Sequence, residues 1–252
     1  MTWFKRLAAA AAATTWLCLA GTASAAFPNF SDCPRTAPGV AACIDIQNLS
    51  GNLNIKGFNV PLGESLEIRG GLSTPENGLA FTPPRGTTGF FARPVQVPGG
   101  LLGIEFPIPG NSVTATTELA GSPSEIHINT INQSIRIPVR VQLTNFLLGM
   151  DCHIGTNRNP VVLSLVTETT SPPPPNRPIS GHVGSFEFRE GALIIRGNLN
   201  VENSFAVPAA TECGLGLGLI NLLVDTRLRL PSAAGNNSIE VVNNVGLLGL
   251  GE

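Results

Sequence analysis

Apolar and polar residues alternate with a period of two along much of this chain. In the run Ser134–Thr144, Ile135, Ile137, Val139, Val141 and Leu143 fall on one face, and Ser134, Arg136, Pro138, Arg140, Gln142 and Thr144 fall on the other. That spacing predicts a half-buried strand. Pro138 has no N–H to give a ladder, so it predicts an edge position or a bulge there. Phe186 and Phe188, then Arg189-Glu190-Gly191, then Leu193, Ile195, Leu199 and Val201 predict a hairpin with a short glycine-containing turn. Further strands are predicted near 44–49, 53–60, 64–69, 113–119, 124–130, 161–167, 222–230 and 238–245. No window after the first twenty-five residues combines a 3.6-residue period with capping residues. The pattern therefore predicts an all-β, β-sandwich-like fold of about ten or more strands.

Proline and glycine punctuate the strands. Pro83-Pro84, Pro98-Gly99-Gly100 and Pro107-Ile108-Pro109-Gly110 mark long loops. Ser171–Pro178 carries four consecutive prolines and reads as a stiff polyproline segment. It is either a linker between domains near residue 175 or a crossover within one domain spanning 26–252. A bond between Cys152 and Cys213, which flank it, favours the crossover. The phrase Gly51-Asn52-Leu53-Asn54-Ile55 returns as Gly197-Asn198-Leu199-Asn200-Val201. A duplicated strand pair would produce this echo, and so would chance in a chain rich in Gly, Asn and Leu.

The amino terminus changes the chemical setting. Lys5 and Arg6 precede an apolar stretch from Leu7 to Ala20, and Ala23-Ser24-Ala25 supplies small residues for cleavage. Residues 1–25 thus read as a secretion signal, and the remainder as an exported protein, extracellular or at the cell envelope. The residues before Cys18, Thr15-Trp16-Leu17, make a poor lipidation signal. No later stretch approaches the ~20 apolar residues of a membrane-spanning helix. In an oxidising compartment, Cys33, Cys43, Cys152 and Cys213 are expected as two disulfides. Cys33 and Cys43 bracket a short segment with Pro34, Pro38 and Gly39, so they pair with each other and leave Cys152 for Cys213. Loop closure gives about 3 kcal/mol for the short loop and about 4 kcal/mol for the long one.

Charge and composition exclude several classes. The formal charge is −2, and loss of Lys5 and Arg6 takes it to −4. No basic stripe is present, which argues against nucleic acid. Both tryptophans, Trp3 and Trp16, lie in the leader and there is no tyrosine, so the flat platforms typical of sugar sites are missing. The same gap argues against a membrane β-barrel, which relies on aromatic girdles.

Candidate chemistry is sparse. Cys152-His153 has poor spacing for zinc, and neighbouring strand residues point to opposite faces, so they do not form a nucleophile and base. His127 and His182 are expected at the surface. Glu64, Glu67, Glu105, Glu187 and Glu190 read as surface charges. Asp45, Asn48, Asn52 and Asn54 lack the order of a calcium loop. No catalytic residue, metal ligand or cofactor is expected. Leu215, Leu217 and Leu219 alternate with Gly214, Gly216 and Gly218, and Gly246-Leu247-Leu248-Gly249 repeats the flavour. Such strands either lay a glycine face close under another backbone or line an apolar pocket or patch for a lipid or another subunit.

One resemblance adds to this reading. Asp151-Cys152-His153-Ile154-Gly155, Asn159-Pro160, Thr169-Thr170-Ser171 and the proline run to Ile179-Ser180-Gly181 resemble a stretch of secreted actinobacterial proteins of no assigned activity. The resemblance implies export from a Gram-positive cell and carries no active site. The expected role is a non-catalytic structural or binding protein, its partner an envelope component or an apolar ligand. Three rivals are a carrier holding a lipid or small apolar ligand in a β-fold cavity, an envelope β-barrel pore and a hydrolase.

Overall fold

The computed structural model describes residues 27–73, 79–214 and 218–251. The secretion signal expected over 1–25 lies outside the described residues. In chain order the strands are β1 (Val40–Ile55), β2 (Phe58–Pro61), β3 (Leu66–Ser73), β4 (Ala80–Thr82), β5 (Phe90–Ala92), β6 (Val95–Gln96), β7 (Thr114–Leu119) and β8 (His127–Asn129). They continue with β9 (Ser134–Thr144), β10 (His153–Ile154), β11 (Val161–Leu165), β12 (Ser185–Arg189), β13 (Ala192–Glu202), β14 (Ala210–Thr211) and β15 (Asn237–Gly249), and one helix, α1, spans Leu219–Leu228.

The strands form two antiparallel sheets. The first runs β12-β13-β15-β1-β3-β4, with β2 on β1 and β5 on β3; the second runs β14-β10-β9-β7-β6, with β11 and β8 on β9. The sheets face each other across one apolar core drawn from Ile44 through to Val245. This is the all-β, sandwich-like fold that the alternation predicts. Both sheets end in free strands among the described residues, and their facing sides are apolar over most of their area. That is a stacked pair of sheets, not a closed wall around a polar lumen.

Strand β9 is central to its sheet, pairing with β7, β8, β10 and β11. The edge position predicted for Pro138 is therefore corrected. Pro138 lies opposite Val162 on one side. On the other side β7 has just ended at Leu119 opposite Val139, and β8 begins only at Arg136. The Pro138 carbonyl accepts from the Ala120 N–H at 3.0 Å on that side. Its nitrogen faces the same gap, where no ladder bond is required.

The strand predicted over 222–230 is also corrected: the segment is helix α1. Leu219, Leu222 and Leu223 share one helical face, while Ile220, Val224 and Leu228 share the other and pack inward. Two apolar stripes erase the contrast that a 3.6-residue period needs. Arg229 in the left-handed region and Pro231 end the helix. The strand predicted over 124–130 is a capped 3₁₀ turn at Pro123–Glu125 followed by β8.

Ser171–Pro178 lies between β11 of the second sheet and β12 of the first. It is pinned at its base by a Thr169–Ser180 bridge, and Asn176 Nδ2 donates to the carbonyls of Asn203 and Asn237. Residues 27–36 lie over the outer face of the first sheet. Gly246 leaves room there for Pro28, and Gly71 for Pro34. Gly246 of the C-terminal Leu-Gly phrase thus lies close under another segment, whereas Gly249 does not.

Candidate functional site

Both disulfides form as predicted, Cys33–Cys43 and Cys152–Cys213. The first fastens residues 27–36 to β1. The second joins the strand pair β10 and β14, and Cys213 N–H donates to Asn221 Oδ1 of α1 at 2.8 Å. Cys152 is fully buried and bonded. His153 turns to the outer face, where its Nε2 lies 3.6 Å from Glu118, itself paired with Arg140. His127 and His182 are exposed on separate segments. No cluster of three or more His, Cys, Asp or Glu fit to hold a metal occurs among the described residues. Glu67 pairs with Arg69 and Glu187 with Arg196. Asp45 lies on the outer face of β1, Asn48 bonds inward-facing backbone at Ser65, and Asn52 and Asn54 reach Asn59, so the four do not converge.

Leu215 and Leu217, singled out as a pocket lining, lie outside the described residues. Leu219 is 73% exposed at the start of α1 and takes no part in the interior. The reason is the helix itself: its inward stripe is Ile220, Val224 and Leu228, and Leu219 is on the opposite side.

The apolar space lies elsewhere, between the sheets. A cavity of about 90 Å³ is walled by strand residues from both layers, among them Leu53, Val60, Ala115, Val139, Leu163 and Ile239. Phe58, Phe205 and Leu228 of α1 also line it. Thr117 is the one polar residue of the lining. A second void of about 50 Å³ lies beside it and shares Leu66, Thr117, Val139, Leu163 and Ile239. Beyond it the interior turns polar. Asn198 Nδ2 donates to Gln133 Oε1 at 3.2 Å, Asn200 Nδ2 to the Gln133 carbonyl at 2.7 Å, and Asn243 Nδ2 to Asn200 Oδ1 at 3.0 Å. Those amides are satisfied among themselves and seal that end.

At the other end, the loop between β6 and β7 is built as a rigid arch. Asn111 Oδ1 accepts from Leu102 N–H at 2.8 Å, and its Nδ2 donates to the carbonyls of Gly99 and Ile104. Arg227 of α1 donates to Pro98 and Gly100 carbonyls at 2.6 and 3.2 Å and stacks on the Phe58 ring at 4.6 Å. The arch overhangs an open cleft of about 890 Å³ whose wall shares Leu62, Val95 and Val97 with the inner cavity.

The sequence placed most of these cavity residues in predicted strands and gave a facing only for Val139, Val141 and Leu143. The void arises from volume that they leave unfilled, and no motif records it. No helix among the described residues is long and apolar enough to cross a membrane. No family model matches this chain, and neither the curated proteins nor the solved structures contain a match.

Proposed function

We propose that this is a non-catalytic binding protein of the cell exterior that holds a small apolar ligand between its two sheets. The observation that carries the reading is the inter-sheet cavity, with its nearly all-apolar wall and its neighbouring void. Protein interiors tolerate few voids larger than a water molecule. At about 24 cal/mol per Å³, the larger void alone costs about 2 kcal/mol when empty. An apolar occupant restores the missing dispersion contacts. The two voids together approach the ~150 Å³ of an engineered apolar cavity that stays dry and takes up benzene or xenon. Two disulfides support a place outside the cytoplasm. A pore would need a closed wall and a wet lumen, and the stacked sheets favour neither.

Xenon or benzene uptake, followed by chemical-shift changes at methyls of Val139, Leu163 and Ile239, tests the reading. The native protein is expected to bind with saturation. Ala115→Leu, which fills the void, is expected to abolish uptake and to raise stability by about 1 kcal/mol. A folded native protein that takes up neither probe would leave a solid structural module as the better description.

A further inference from the structure

The cavity is almost wholly apolar, and the cleft beside it sets a few polar groups into a largely apolar wall. Gln96 and Ser112 line the cleft, hydrogen-bonded to each other at 2.9 Å, and Glu105 is its one charged residue. Its rim carries Ile104, Phe106 and Ile108, all exposed. The arch above it is braced by Asn111 from within and by Arg227 from α1. Leu62, Val95 and Val97 form the wall common to the open cleft and the inner cavity.

We infer that cleft and cavity are two halves of one site, and that the ligand is a single-chain amphiphile whose head group is uncharged or cationic. The inference rests on the cavity reading and adds the ligand class and the direction of entry. The tail passes between Leu62, Val95 and Val97 into the inter-sheet space, and the head stays under the arch. A carboxylate or phosphate head would meet Glu105, while the nearest cation, Arg227, is outside the cleft lining and spends its guanidinium on the Pro98 and Gly100 carbonyls.

Isothermal titration of the protein with octyltrimethylammonium, octanol and octanoate below their aggregation concentrations tests this, with xenon uptake as the control. The cation is expected to bind about fivefold tighter than the anion, the scale of one exposed charge at close range. Glu105→Lys, on the exposed rim and away from the core, is expected to reverse that order and leave xenon uptake unchanged. Xenon uptake without binding of any octyl compound would overturn the inference and leave the cavity reading intact. The same head-group order in Glu105→Lys as in the native protein would also overturn it. Loss of xenon uptake itself would remove both.

Discussion

Asp45 is the residue at which burial and charge conflict most sharply. It is 1% exposed on the outer face of β1, beneath residues 27–36. One carboxyl oxygen accepts the Asn29 N–H at 2.6 Å, and the other has no partner. Desolvation pushes its pKa up from 3.8 to about 7, with the Asn29 N–H and Arg69 opposing and Glu67 adding to the rise. The folded state thus holds a proton that the unfolded chain releases at lower pH. The stability this confers is complete below about pH 4 and is lost as pH rises through about 7. Asp45→Asn is expected to flatten the dependence of Tm between roughly pH 4 and 7, and to exceed the native protein in stability above pH 7 by a few kcal/mol. An unchanged slope in thermal melts across that range would show that Asp45 ionises freely in the fold. The alternation identified β1 around Asp45 but gave no sign that this outward position is covered, because the cover comes from residues 27–36, fastened by Cys33.

Two elements depend on glycines for different reasons. In β13 the register against β15 shifts between Ile195 and Asn198, with Gly197 at φ +73°. The bulge turns the strand over. Leu193 and Ile195 face the core before it, and Asn198 and Asn200 face inward after it. Leu199 and Val201 therefore fall on the opposite face from Leu193 and Ile195, with Val201 still buried at 1% exposure, since one inserted residue reverses the parity of every position beyond it. Nothing stands where a Cβ at Gly197 would go, so Gly197→Ala meets only backbone strain and is expected to cost about 1 kcal/mol. Gly100 in the arch has φ +56°, and a Cβ there would overlap the Asn111 backbone carbonyl. Gly100→Ala is expected to cost more than about 2 kcal/mol, through strain plus a broken arch. Urea melts of the two variants rank them, and equal losses would contradict the packing described at Asn111.

Across the whole molecule, the two disulfides brace different structures. Cys33–Cys43 holds a covering segment, whereas Cys152–Cys213 ties β10, β14 and the approach to α1 into the second sheet. Replacing Cys152 and Cys213 together by alanine is expected to cost about 4 kcal/mol, or roughly 10 °C in Tm, more than the same change at Cys33 and Cys43. The reverse order in calorimetry would show that the covering segment contributes more to the fold than the edge of the second sheet. What the sequence determined by itself was local: strand periodicity, turn punctuation and the pairing of cysteines, because each follows from neighbouring residues or simple loop closure. The faces beyond a bulge, the helical state of Leu219–Leu228, the tolerance of Pro138 in a central strand and the void between the layers were decided only by tertiary structure. Each depends on what the opposite sheet or a distant segment leaves vacant or covers, and a one-dimensional pattern does not contain that distance.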